Sequence, residues 1–221
     1  MLKYKNLVII GTSHIAKQSI NEVNSVIKNE SPDIIALELD PLRFNKLIFD
    51  KKEKFNIKNI NLLNLIGAYI EKKLGEKVGV SPGAEMKEAV KLAEKNKIQI
   101  ALIDQDIRIT LKRLKKQLTF KEKIKIIYDI IKSSLIPSEE LKIDLTRVPE
   151  KKIINKLLKI VKKRYPSIYK VLVEERDVFM AKRLYSLMSA NKKVVAVLGA
   201  GHEEGIINTI KCYSQKKKQQ N

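Results

Sequence analysis

Two apolar, β-branched runs, one near each end of the chain, both stop at Gly-x-x-His. Leu7-Val8-Ile9-Ile10 leads into Gly11-Thr12-Ser13-His14, and Val194-Val195-Ala196-Val197-Leu198 leads into Gly199-Ala200-Gly201-His202. His14 and His202 are the only 2 histidines among 221 residues. Four or five consecutive apolar residues before a glycine read as a strand buried on both faces, and the glycine lets the backbone turn tightly where the strand ends. In an open α/β sheet the carboxyl ends of the strands border the ligand crevice, so both imidazoles are expected to project into one cleft.

Between these runs the pattern alternates. Residues 15–28 carry Ile15, Ile20, Val23, Val26 and Ile27 at helical spacing, and Ser31-Pro32-Asp33 closes that helix. Ile34-Ile35-Ala36-Leu37 is a second buried strand and runs into Glu38-Leu39-Asp40-Pro41, with Arg43 behind. Strand, helix and strand form a βαβ unit whose right-handed crossover makes the strands parallel, so Glu38 leaves the sheet on the same edge as His14. Residues 43–75 read as helical, and the loop 79–83 hands over to a helix at 84–96 with Glu85 in its first turn and Met86, Ala89, Val90 and Ala93 inward. Residues 98–103 read as a third interior strand, ending at Asp104-Gln105-Asp106-Ile107-Arg108.

Residues 110–165 are lysine-rich and helical, broken near Pro137 and Pro149, and suit an insertion or lid. A long helix at 167–191 follows Pro166, with Leu172, Phe179, Met180, Leu184 and Leu187 as its apolar stripe. Arg176 falls on that stripe beside Glu175, and charge on a buried face is uncommon unless it is paired or functional. A short helix at 203–213 comes last, and 214–221 reads as a disordered basic tail.

The whole therefore reads as α/β: one domain over residues 1–213, with a central mixed, largely parallel sheet flanked by helices. No apolar run approaches the roughly 18 residues of a spanning helix, and no signal peptide opens the chain. The expectation is a soluble, cytoplasmic protein, with membrane association left open. The net charge of +20 raises nucleic acid as a partner, but the lysines are dispersed and aromatics are only 5%. Nucleic acid is therefore disfavoured, while an anionic membrane surface and homo-oligomerisation stay open. A single cysteine, Cys212, excludes a Cys-based zinc cluster.

His14, Glu38, Asp104 or Asp106, and His202 thus stand at four strand exits. Two imidazoles and a carboxylate suit a divalent transition metal, which lowers the pKa of bound water to ~7 and polarises a carbonyl, as amide hydrolysis requires. Glu38, Glu85 or Glu175 could serve as base, and Arg43, Arg108 or Arg176 could hold a carboxylate or a developing oxyanion.

At these residues the chain resembles the TraB/PrgY family, which is related to the Tiki metalloproteases. The matching blocks are Gly11-Thr12-Ser13-His14, Glu38-Leu39-Asp40 with Arg43, Gly83-Ala84-Glu85 with Ala89, Asp104-Gln105-Asp106-Ile107 with Arg108 and Thr110, Glu175-Arg176-Asp177 with Met180, and Gly199-Ala200-Gly201-His202 with Gly205. The resemblance implies a Tiki/TraB-like sheet with helices on both faces and a metal-dependent peptidase, with manganese or cobalt favoured and zinc open. It also implies a role like that of PrgY in limiting a peptide pheromone. It puts His14, Glu38 and His202 at the metal, with Glu85, Glu175, Arg43, Arg108 and Arg176 around them. The alternative is a non-catalytic protein that binds or sequesters peptides. Many TraB-like proteins continue into C-terminal transmembrane helices, whereas this chain ends in Lys216-Lys217-Lys218, so it reads as a soluble variant or as a portion of something longer.

Overall fold

A computed structural model of the chain describes residues 1–12, 17–49, 83–135, 151–190 and 192–219. The strands are β1 (Leu2–Tyr4), β2 (Leu7–Thr12), β3 (Ile34–Leu37), β4 (Gln99–Leu102) and β5 (Val194–Gly199). They form one sheet in the order β1-β2-β5-β3-β4. β2, β5, β3 and β4 run parallel, and β1 pairs antiparallel to β2 at the edge. The mixed, largely parallel sheet expected from the apolar runs is therefore present.

β2, β3 and β5 are buried along their full length. That is the burial a near-continuous Val/Ile/Leu run needs, since each fully buried large aliphatic side chain contributes roughly 1.5–3 kcal/mol. Alternate residues face two helical layers. Ile9, Ala36 and Ala196 pack with Met180, Leu184 and Ile206 on one side, and Val8, Ile35 and Val195 pack with Val23, Met86 and Ala89 on the other. The first layer is α8 (Glu175–Ser189) and α9 (Glu203–Gln219); the second is α1 (Lys17–Glu30) and α3 (Ala84–Asn96). Among the described residues, no helix is long and apolar enough to cross a membrane.

The remaining helices are α2 (Pro41–Phe49), α4 (Ile107–Gln117), α5 (Phe120–Leu135), α6 (Lys151–Arg164) and α7 (Pro166–Tyr169). Residues 50–82 and 136–150 lie outside the described residues, and with them the expected breaks near Pro137 and Pro149.

The structure departs from the sequence reading at four places. The strand at 99–102 is not interior: β4 pairs only with β3 among the described strands, and its residues are exposed or half-buried. β1 has 3 residues, too short for a period-two pattern to register. The helix after Pro166 is not uniform, because a π-helical turn (Lys170–Glu174) separates α7 from α8. Behind that turn Met180 and Leu184 face inward as expected and are joined by Ala181 and Met188, while Phe179 is only half-buried and Leu187 packs at the margin of the core. The last helix, α9, continues past Tyr213 to Gln219.

Candidate functional site

Parallel pairing brings the strand exits together. Gly11 lies opposite Leu198 and Thr12 opposite Gly199, so the two Gly-x-x-His segments leave neighbouring strands side by side. Ala200 N donates to Thr12 O at 2.9 Å and ties the two exits to each other. His202 N donates to Gly199 O at 2.9 Å, closing a four-residue β-turn, and Ile206 N on His202 O begins α9. On the other side of β5, Glu38 Oε2 accepts from Gly199 N at 2.6 Å. His14 itself lies outside the described residues.

Arg176 is the hub of a buried polar network. Its Nη2 bonds to Glu38 Oε1, and also to Asp104 Oδ2 at 2.6 Å. Its Nη1 lies 3.1 Å from His202 Nε2 and donates to Leu172 O in the π turn at 3.1 Å. Asp104 also bonds to Arg43 Nη2, and Arg43 Nε donates to Asp40 Oδ2 at 2.5 Å. Asp40 Oδ1 accepts from Leu42 N and Arg43 N, capping α2 behind Pro41. Beyond the imidazole, Asp177 Oδ1 is 2.6 Å from His202 Nδ1, and Glu38 Oε1 is 3.5 Å from His202 Nε2.

This arrangement assigns the ring's proton. A carboxylate can only accept, so His202 Nδ1 carries the hydrogen; a guanidinium can only donate, so Nε2 presents a lone pair. The charges are equally specified. Burial pushes the Asp104 carboxyl up, but the Arg176 and Arg43 guanidiniums outweigh that and hold it below the usual aspartate range. Asp177 goes the other way: burial raises it, and the bond to His202 offsets only part. Burial works against the charge of Arg176, but Asp104 and Glu38 more than restore it. Among the described residues, the carboxylates of Glu38, Asp40, Asp104 and Asp177 meet only two guanidiniums here. The described residues thus gather several carboxyl groups around the guanidiniums of Arg43 and Arg176.

Other expected residues sit apart. Glu85 is buried in the first turn of α3, beside Met86 in the α1–α3 layer. Glu175 faces α4, with Arg113 Nε at 2.8 Å and Gln117 Nε2 at 3.1 Å. Of the two aspartates after β4, Asp104 joins the network, while Asp106 caps α4 and pairs with the exposed Arg108 at 2.6 Å. Arg43 and Arg176 are therefore the arginines of the cluster.

Two acids escaped the sequence reading. Asp177, next to Arg176 in a first helical turn, has the look of a residue placed for the helix dipole. Glu203 has the same disguise at the start of α9, yet it is buried, and its Cδ would lie 2.7 Å from a Cβ on Gly11. The usable signal was glycine. A Cβ on Gly205 would overlap Asp177 Oδ2 and stand 2.7 Å from Cγ, so hydrogen at that position is what lets Asp177 reach the imidazole. Gly205→Ala is expected to destabilise by about 1–3 kcal/mol, although alanine is the better helix former by ~1 kcal/mol. A neutral or stabilising result in thermal unfolding would mean that the carboxylate moves aside freely.

A cleft of about 320 Å³ reaches Asp177 from outside, bordered by Asn155, Leu158 and Lys159 of α6, by Tyr169, and by Gly201. Helix α6, within the lysine-rich stretch, thus faces the Gly199-Ala200-Gly201-His202 turn, and Asn155 Nδ2 donates to Glu204 Oε1 at 3.1 Å.

Comparison with known proteins bears on the same residues. The profile of the TraB/PrgY/gumN family matches residues 3–219. The chain belongs to the TraB/PrgY/gumN family. It is 44% identical over 217 residues to the uncharacterized protein MJ1365 of Methanocaldococcus jannaschii, covering 93% of this chain and 53% of that protein. It is 24% identical to the TraB domain-containing proteins of mouse and human, covering 90% of this chain and 61% of each. This TraB/PrgY/gumN chain thus spans between about half and three fifths of the length of these relatives. Among its described residues, no group of three or more His, Cys, Asp or Glu is arranged to hold a metal ion.

Proposed function

We propose that this TraB-family chain is a divalent-metal-dependent hydrolase of peptides, with His202, Glu38 and His14 as the metal-holding set. The observation that carries the reading is the Asp177–His202 pair at 2.6 Å, which leaves Nε2 free of a proton and turned toward Glu38. A carboxylate behind the distal nitrogen is the usual support of a ligating histidine. When bound, such an ion supplies a water acidic enough to attack at neutral pH and a polarised carbonyl, with manganese or cobalt favoured and zinc open.

The chain's own residues do the rest. Asp177 fixes the tautomer and the ring plane. Arg176, bonded to Glu38 Oε1 and 3.1 Å from His202 Nε2, would hold a substrate carboxylate or a developing oxyanion beside those two groups. Glu38 is the candidate base beside His202, whereas Glu85 lies in the α1–α3 layer and Glu175 is engaged by Arg113 and Gln117. The cleft beside α6 has the size of a small-ligand site and can take one end of a peptide.

A second reading, a protein that binds or sequesters peptides without cleaving them, is favoured by the same Arg176 contact: the guanidinium already stands at Nε2 and Glu38 Oε1, the two groups a metal would need. A mixed peptide library incubated with the chain plus manganese, cobalt or zinc separates the two. Cleavage abolished by a chelator is expected. Peptide retention without turnover, unaffected by the chelator, would replace the hydrolase with the binding protein.

A further inference from the structure

Helix α5 is held to the protein by one face only. At its start Thr119 and Glu122 form a reciprocal cap: Glu122 Oε2 accepts from Thr119 N at 3.1 Å, and Glu122 N donates to Thr119 Oγ1 at 3.3 Å. Glu122 Oε1 accepts from Ser167 N at 2.8 Å, and Asp129 Oδ2 takes Arg164 Nε at 2.6 Å. With Ile126 buried between them, these contacts fix the rotation of the helix.

The opposite face is apolar and exposed. Phe120, Ile124, Ile127, Tyr128 and Ile131 are between 45% and 75% exposed. At 3.6 residues per turn they fall within an arc of about 100°, the width of a core-facing stripe, but here turned outward. Lys123 lies on one margin of the stripe and Lys121, Lys125 and Lys132 on the other.

We propose that α5 docks this chain on an anionic lipid surface, lying in the membrane plane with its apolar stripe in the acyl boundary and the flanking lysines on the headgroups. Charge decides the occupant. A second copy would set lysine margin against lysine margin in a chain of net charge +20. A nucleic acid would neutralise the lysines but leave five large apolar side chains against phosphate. Only an anionic bilayer offers hydrocarbon and negative charge in the right layers.

The test uses the whole chain with vesicles of equal parts phosphatidylglycerol and phosphatidylcholine, and with phosphatidylcholine alone. Co-sedimentation with the anionic vesicles only, falling as salt rises, is expected. Ile124→Glu with Ile127→Glu weakens it by about tenfold or more, and Lys125→Glu by about fivefold, with thermal unfolding unchanged because these side chains face solvent. The chain has no tryptophan, so Tyr128→Trp gives a single reporter whose emission shifts to the blue on the anionic vesicles. Undiminished sedimentation of the double glutamate variant, an unshifted Tyr128→Trp spectrum, or a dimer in sedimentation velocity that Ile127→Glu disperses would each overturn the proposal.

Discussion

Replacing Arg176 by leucine is expected to cost about 3–5 kcal/mol of folding stability at neutral pH. The guanidinium neutralises Glu38 and Asp104 together, donates to Leu172 O and covers the His202 lone pair. Leucine leaves both carboxylates buried with that cation gone. The penalty is also expected to depend on pH with a definite sign. In the native chain Asp104 is held below its ordinary value, so its contribution is present above the ~3.9 of an unfolded aspartate and lost as pH falls through the folded value. In the variant Asp104 keeps Arg43 and Glu38 keeps the Gly199 N–H, but both lose the shared guanidinium, so burial raises their carboxyls relative to the native chain. Their cost is full above the folded value and disappears as they take up protons in acid, so native and variant curves converge. Urea midpoints at neutral pH and in acid measure this. A loss below about 1 kcal/mol, or one constant with pH, would mean that Arg176 is not what balances the cluster.

His202→Ala is expected to lower kcat/KM for peptide cleavage by about 10²–10⁴-fold, while Asp177→Asn costs about 10–100-fold. On the hydrolase reading the first removes the nitrogen proposed to hold the ion; the second leaves it but frees the ring to flip or change tautomer. Stability separates this from simple damage. Burial raises the Asp177 carboxyl, so its charge works against folding at neutral pH, and that cost is relieved as pH falls. Asparagine avoids the charge altogether, and Asp177→Asn is expected to unfold no earlier than the native chain at neutral pH. An acid that holds a histidine at the expense of stability is there for the histidine. Equal losses of activity and of unfolding midpoint in Asp177→Asn would reduce the pair to scaffolding.

These residues differ in how plainly the sequence announces them. Glu38 and His202 stand where buried apolar runs end, and Arg176 is charge on an apolar stripe; both contradictions mark a site. Arg108 also follows a strand, yet Asp106 draws it into a helix cap at the surface, and nothing in the spacing separates it from Arg43. β4 repeats the Ile-Ala-Leu of β3, but those side chains do not reveal that one neighbour alone flanks it among the described strands. The π turn cannot be read from a 3.6-residue pattern because it is the place where that pattern breaks, whereas behind it Met180 and Leu184 face inward as their spacing predicts. Asp177 and Glu203 were hidden by the dipole rule that makes acids ordinary at helix starts.

β5 is the last of the described strands and the middle one in the sheet, and its turn supplies both Gly199 N to Glu38 and His202 to Asp177. During synthesis β2 and β3 therefore leave the ribosome with an open seam between them, and every earlier part of the cluster waits beside it. Until β5 inserts between β2 and β3, Glu38 lacks the Gly199 N–H and Arg176 lacks its His202 contact, so the cluster forms together with the centre of the sheet rather than piece by piece.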